Sequence, residues 1–486
     1  MDRGLLLGLD IGTTRIKAVV IDAAGGERSA SVPTPFGLSA EGIDMGVADL
    51  RRALGDVLSA LGPERGRVAA VGLAGMAESG APMRDGRALA PIIAWHDGRG
   101  EETVASLERR FGPALALWTG RRVRTVSSVA KLGWLVDHGV AEPDRWLGVP
   151  ELALFLLTGA QATEHSLAAR TGAYDVTERR FLPEVIAHIL AGAPAEPERN
   201  THRYGGQTAR GRSASERGAG LFPPVRVAGT VMGVVSEEAA AGCGLPAGIP
   251  VTIAGHDHLA AAAGLGVWPG DLLNSVGTAE TLIRRLDSAP DVERALELDL
   301  TVTLWPGGDA WAVLASATRS GLVIAALTGY LGLGPEALDR LVAAGPCAGP
   351  PGGGPGGSEH VISAGQAPGP PPVMVGLGQG IDVPAGPPAD MWTATLEALA
   401  RRTAAAAERV VALAGPHRRL VVFGGGSRSP TSLRAKAAAV VVPVVGCPVA
   451  EAAARGAALA AGVAAGWWPT PAAGPIPPLD APGGQP

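Results

Sequence analysis

The stretch IAGHDHLAAAAG, residues 253 to 264, places Asp257 between His256 and His258 where an apolar run ends. Three such side chains in a row suit either a metal ion or a lone carboxylate that takes a proton from a hydroxyl. If the run is a strand, successive side chains alternate between its faces, so the two histidines point away from Asp257. They could share an ion with each other, yet no cysteine or spaced histidine pair nearby completes a site. The expected arrangement is therefore Asp257 alone on its face as a general base. One histidine then hydrogen-bonds a neighbouring strand, and the other is free to touch a ligand.

Other stretches offer phosphate chemistry. In LLLGLDIGTTRIKAVVID, residues 5 to 22, an apolar run meets a Gly12-Thr13-Thr14 turn and then an alternating run, which predicts a hairpin. A tight glycine turn exposes successive N–H groups and hydroxyls to an anion. Asp10, at the end of the strand feeding that turn, could hold Mg²⁺ directly or through water. A plain hairpin would read the same way. Residues 271 to 286, DLLNSVGTAETLIRRL, repeat the plan, with Gly277 and Thr278 where Gly12 and Thr13 fall. A polyphosphate gripped from both halves of a duplicated chain explains why both turns exist. Ser275 takes the place of Asp10, so only the first copy would handle metal. In LVVFGGGSRSP, residues 420 to 430, a strand runs into Gly424-Gly425-Gly426. Such a turn lets a flat base or ribose lie against backbone, or is simply a tight strand-to-helix connection. No Walker A loop exists, since none of Lys17, Lys131 and Lys436 follows a glycine. GGGPGG at 352 to 357 fits a dinucleotide fingerprint but sits among prolines with no strand before it, and reads as linker.

The elements that must position these residues follow from the pattern. AAVGLAGMAESG (69 to 80) and PVTIAGHDHLAAAAG (250 to 264) read as short strands ending in glycine-rich turns, and the alanine-rich 397 to 415 and 450 to 466 as helices. Strands alternating with helices in two halves predict an α/β protein. The halves are expected to be residues 1–245 and 246–468, divided where Pro246 and Gly248 precede the Asp257 strand. Residues 191–218 and 345–372 read as loops or insertions, and the proline-rich 469–486 as a tail without structure.

Composition narrows the function classes. With 486 residues, 47% of them hydrophobic and 18% charged, the chain can build two or three cores. Its 41 basic and 46 acidic residues, net charge −5, include no basic cluster able to neutralise many phosphates, which argues against nucleic acid. The first 20 residues are broken by Asp10, Arg15 and Lys17, and no apolar run reaches roughly 18 residues, so the expectation is no membrane and a cytoplasmic location. Cys243, Cys347 and Cys447 are too far apart for a zinc site or disulfide framework and are expected to be buried thiols.

Taken in order, DIGTTRIKAVVID, PIIAWHDGRG, LFLLTGAQATEHSLAARTGAYDV, AGHDHLAAAAGLG, NSVGTAE and VVFGGGSRSP, followed by Glu451 and GAALAAG, resemble the FGGY family of carbohydrate kinases over about residues 5 to 466. The resemblance implies an α/β protein of two ribonuclease H-like domains, of the actin, hexokinase and heat-shock chaperone type, with a ligand cleft between them. It implies ATP-dependent transfer of phosphate to a hydroxyl of a small sugar or polyol, with Mg²⁺. Asp257 falls on the family's catalytic base. Gly12, Thr13 and Thr14 fall on the first phosphate segment together with Asp10, Gly277 and Thr278 on the second, and Gly424, Gly425 and Gly426 on the adenosine contact. Glu78 falls where the family places a ligand for a substrate hydroxyl, and Trp95, Asp97 and Arg99 match its W-x-D-x-R element near the sugar; Trp95 could equally be core packing. The sugar contact among the two histidines is assigned to His258. Residues 375–392 and Ala77-Glu78-Ser79 depart from the pattern, so pentuloses, hexuloses, aldonates and polyols all stand as acceptors, as does a nucleoside-like metabolite. A catalytically silent sugar sensor on the same fold is the non-enzymatic alternative, and a homodimer is one assembly left open.

Overall fold

The computed structural model describes residues 4–192, 220–266, 270–345, 383, 386–476 and 479. The described chain divides into two compact units that interleave in sequence. The first contains residues 1–269, 283–314 and 451–478, and the second 270–282, 315–450 and 479–486. The boundary expected near residue 246 thus falls inside the first unit, because the strand Pro250–His256 pairs with Val68–Gly75 in that unit's main sheet.

That sheet has six strands. In spatial order they are Gly233–Val234, Pro250–His256, Val68–Gly75, Leu5–Ile11, Arg15–Ile21 and Glu27–Pro33. Leu5–Ile11 and Arg15–Ile21 form the expected antiparallel hairpin, with Asp10 opposite Lys17. Leu5–Ile11, Val68–Gly75 and Pro250–His256 run parallel, and Ile11, Gly75 and His256 stand side by side. A strand's side chains alternate between faces, so Leu5, Leu7, Leu9 and Ile11 point one way, into a core with Leu50, Leu54, Val57, Leu152 and Leu154. Those partners belong to the helices Val47–Ala60 and Val149–Thr158. Leu7 and Leu9 are fully buried, each contributing about 2 kcal/mol of transfer free energy.

The opposite face carries Leu6, Gly8 and Asp10, and the helix Ala452–Ala464 covers it. Close approach there depends on missing side chains. A Cβ on Gly8 would lie 1.8 Å from the Ala454 carbonyl oxygen, and one on Gly72 1.8 Å from that of Ala457. The helix starts beside Asp10's end of the sheet, where Glu451, its N-cap, pairs with Lys17 at 2.8 Å.

In the second unit, Leu272–Val276 runs parallel to Leu420–Gly424, with Val276 beside Gly424, and Leu420–Gly424 runs parallel to Val444–Gly446. The second strand-turn-strand is present, Leu272–Val276 being followed by Glu280–Leu286. Both alanine-rich stretches are helical, as Pro388–Ala414 and Ala452–Ala464.

The tail after 469 is not structureless at its start: Pro471–Ala473 forms a short 3₁₀ turn and Ile476 packs with Leu6, Trp467 and Trp468. Apolar side chains within the proline-rich run supply that anchoring. Residues 193–218 and 346–372, with Cys347 and the 352–357 glycine run, lie outside the described residues, as does most of 375–385. Cys243 and Cys447 are buried thiols. No single described helix is long and apolar enough to cross a membrane.

Candidate active site

The register explains how distant motifs become one site. Because Ile11, Gly75 and His256 end neighbouring parallel strands, the residues that follow them emerge along one edge of the sheet. These are Gly12-Thr13-Thr14, Met76-Ala77-Glu78 and Asp257. The carboxyl ends of parallel strands are where open α/β sheets bind ligands.

Asp10 is 6% exposed, and its Oδ1 accepts no hydrogen bond from any described residue. Burial, and then the charge of Asp257, push its carboxyl from 3.8 up to about 7, against the pull of Lys17. Burial alone would lower the Lys17 amine, but Asp10, Glu451 and Asp257 outweigh it and raise it. With Lys17 already paired to Glu451, the carboxylates here are short of positive charge. These residues fit a divalent cation.

The turn at Gly12 closes with its N–H donating to the Arg15 carbonyl at 3.1 Å. Thr13 is half-buried and its Oγ1 accepts from Trp95 Nε1 at 2.8 Å, while Thr14 is exposed. Trp95 also packs against the main core, the packing role expected of it.

Asp257 corrects the expected local structure. The strand ends at His256, and Asp257 is the first residue of the helix Asp257–Gly264 rather than a residue on a strand face. Face alternation therefore does not apply, and the histidines do not point away. His256 Nε2 lies 3.1 Å from Asp257 Oδ1, and ligand atoms of His256, Asp257 and His258 all fall within 4.8 Å of one another. The His258 backbone N–H donates to the same Oδ1 at 2.6 Å. Burial, then His258 and the nearby Arg170 and Arg121, hold His256 well below its ordinary value, so it is neutral. The His256 and His258 rings meet edge to face at 5.1 Å. Among the described residues no neighbouring-strand hydrogen bond holds the His256 side chain and its Nδ1 has no partner; its backbone N–H donates to Ser166 Oγ at 2.9 Å.

Glu78 sits at φ 66°, a left-handed conformation costly for a residue with a Cβ. Its carboxylate Oε1 accepts from Arg121 at 2.9 Å and Arg170 at 2.5 Å, and Ser128 Oγ donates to its carbonyl at 3.2 Å. Neither arginine was singled out in the sequence. Arg170 ends the EHSLAAR run and Arg121 opens an RRVR cluster, so charge density was the available signal.

Asp97 and Arg99 turn largely toward each other. Asp97 Oδ1 accepts from Arg99 Nε at 2.8 Å, its Oδ2 accepts from the Ile43 N–H at 2.7 Å, and Arg99 reaches Asp44 at 2.5 Å. This ties the W-x-D-x-R loop to the strand Ile43–Met45.

In the second unit, a Cβ on Gly277 would meet nothing closer than 3.8 Å, leaving that turn's face open. Thr278 lies against Gly321 in the helix Ser320–Leu331. Below the turn, buried Glu280 binds Lys436 at 2.6 Å, Thr403 at 2.6 Å, Asn274 at 3.0 Å and Ser320. Of the three glycines, Gly424 (φ 86°) and Gly426 are required by packing on Val276, which their Cβ atoms would meet at 2.6 Å. Only at Gly425 is the approach open, with nothing within 3.8 Å.

A buried aspartate, a hydroxyl-bearing turn and an aspartate that opens a helix stand together at the edge of the first unit's sheet, in an α/β fold of the actin and hexokinase type. Over 96% of this chain and 92% of the other, the structure superimposes on a xyloylose kinase from Brucella ovis with a TM-score of 0.74 at 22% identity. The chain belongs to the FGGY family of carbohydrate kinases, its residues 5–194 matching the family's N-terminal domain and 362–465 its C-terminal domain. It is 26% identical to a glycerol kinase of Bordetella parapertussis over 503 residues, 95% of this chain and 89% of that one. It is also 26% identical to a glycerol kinase of Thermococcus kodakarensis over 196 residues, 37% of this chain, a match that spans only 39% of that relative's length.

Proposed function

We propose that the protein transfers the γ-phosphate of MgATP to a hydroxyl of a small sugar, polyol or sugar acid, with Asp257 as general base. The observation that carries this reading is the alignment of Ile11, Gly75 and His256, which brings the Gly12 turn, Glu78 and Asp257 to one sheet edge. Phosphoryl transfer asks mainly for positioning and charge neutralisation. Asp257 Oδ1 is held by the His256 ring and the His258 N–H, so Oδ2 is the oxygen left to take the acceptor's proton. His256, kept neutral, orients that carboxylate without competing for the proton. Thr13, fixed by Trp95, and Thr14 offer hydroxyls and backbone N–H groups to phosphate oxygens, and Gly277 with Thr278 offer the same from the second turn. Asp10 would hold Mg²⁺, which neutralises charge on the transferring phosphate when bound. The Gly425 backbone is left for adenosine, and Glu78 and His258 for the acceptor.

ADP release over a panel of pentuloses, hexuloses, aldonates and polyols tests the reading. Asp257→Asn is expected to keep ATP binding by calorimetry while losing roughly 100-fold or more of kcat, the range for a positioned acid–base group. A variant turning over near the wild-type rate would rule Asp257 out as the base.

A further inference from the structure

The group around Glu78 that the mechanism leaves unexplained is a pair of largely buried arginines. Arg121 and Arg170 are 7% and 16% exposed in their side chains, Glu78 is 5% exposed, and both guanidinium groups converge on the single oxygen Glu78 Oε1. Two positive charges thus share one negative charge, leaving a surplus of one. The donors are as unbalanced as the charges. A guanidinium carries five N–H donors, yet Glu78 is the only acceptor found for either arginine among the described residues, and Arg170 Nε is buried with no partner. Burial and the adjacent Arg170 depress Arg121 to about 10, which leaves it charged at neutral pH and registers the same shortage of anion. Glu78 follows the strand whose last residue, Gly75, pairs with His256, which sets its two arginine partners near the sheet edge where Asp257 emerges, and both arginines bear on the charge of His256. The left-handed Glu78 backbone shows that the arrangement is held against a local cost.

We propose that the acceptor carries a carboxylate: Arg121 and Arg170 hold a polyhydroxy acid by its carboxylate group, while Glu78 takes hydrogen bonds from its hydroxyls. This deepens the phosphotransferase reading above and rests on it. A guanidinium fork matches a carboxylate's two oxygens, and one carboxylate cancels a surplus of one. A dianionic phosphate would overshoot that balance. A neutral ketose or polyol would leave buried positive charge uncompensated.

The test uses the full chain with MgATP, measuring ADP release for xylonate, ribonate and gluconate against xylitol, xylulose, sorbitol and fructose. Binding of the same compounds is followed by calorimetry. The expected result is a kcat/KM for at least one acid that exceeds its neutral counterparts by roughly 100-fold, as for a buried charge pair made or left open. In Arg170→Gln the ratio of acid to neutral kcat/KM should collapse toward one, chiefly through the KM of the acid, and Arg170→Lys should restore part of it. Wild-type enzyme that prefers neutral acceptors overturns the inference while leaving the kinase reading intact. An unchanged ratio in Arg170→Gln also overturns it, since a triad that only supports the fold would lower both activities together. If nothing is phosphorylated, the kinase reading fails instead, and calorimetry then decides: acid binding lost in Arg170→Gln supports the carboxylate site, and no acid binding to wild type refutes it. The wild-type comparison stands even if the variants do not fold.

Discussion

Replacing Glu164 by glutamine removes a titrating group from the core without changing the shape of the side chain. The Glu164 carboxyl is fully buried in the first unit. Its Oε2 accepts from the Ser166 N–H at 2.7 Å and from the Ser166 hydroxyl, whereas Oε1 has no partner among the described residues. Burial pushes its pKa from 4.5 up to about 8, against the opposing hydrogen bonds from Ser166 and backbone N–H groups. The folded chain therefore holds this proton more tightly than the unfolded chain does. Below pH 4.5 both states are protonated and there is no penalty. Between 4.5 and 8 the unfolding free energy falls as pH rises, and above 8 the loss is complete. At about 1.4 kcal/mol per pH unit, that interval sets a ceiling of about 5 kcal/mol. Relaxation around the carboxylate absorbs part of it, so a gain of about 2 kcal/mol or more is expected for Glu164→Gln at pH 8.5, shrinking toward zero at pH 5. Urea unfolding of both proteins at pH 5, 7 and 8.5 measures this directly. Stability profiles that stay parallel across the three pH values would refute the assignment of a buried, proton-holding carboxyl.

Other substitutions probe the packing and the Asp10 edge of the sheet. Gly72→Ala should destabilise by about 3 kcal/mol, since its Cβ would lie 1.8 Å from the Ala457 carbonyl and force the helix Ala452–Ala464 off the sheet; a thermal unfolding midpoint equal to wild type would contradict that packing. Asp10→Asn should cut turnover by roughly 100-fold or more and abolish the stabilisation that Mg²⁺ gives wild type against heat in the absence of nucleotide. Equal Mg²⁺ stabilisation of both proteins would place the ion elsewhere.

The sequence determined most of the local structure. The hairpin around Gly12, its copy around Gly277 and the two alanine-rich helices follow from hydrophobic period and from glycine at the turns, which are short-range properties. The ordered motifs were likewise enough to recognise the family.

What period could not fix was the last residue of a strand. His256 and Asp257 look alike in pattern, yet the chain turns into a helix between them, and that one step brings two histidines onto the aspartate instead of away from it. Strand order was equally hidden, because parallel pairing joins residues 5–11, 68–75 and 250–256 through long crossovers that leave no local trace. The unit boundaries depend on the same pairing, so a cut drawn from Pro246 and Gly248 could not find them. The partners of Glu78 were decided last: Arg121 and Arg170 lie 43 and 92 residues further along the chain, and only tertiary packing could set two guanidinium groups on one carboxylate oxygen.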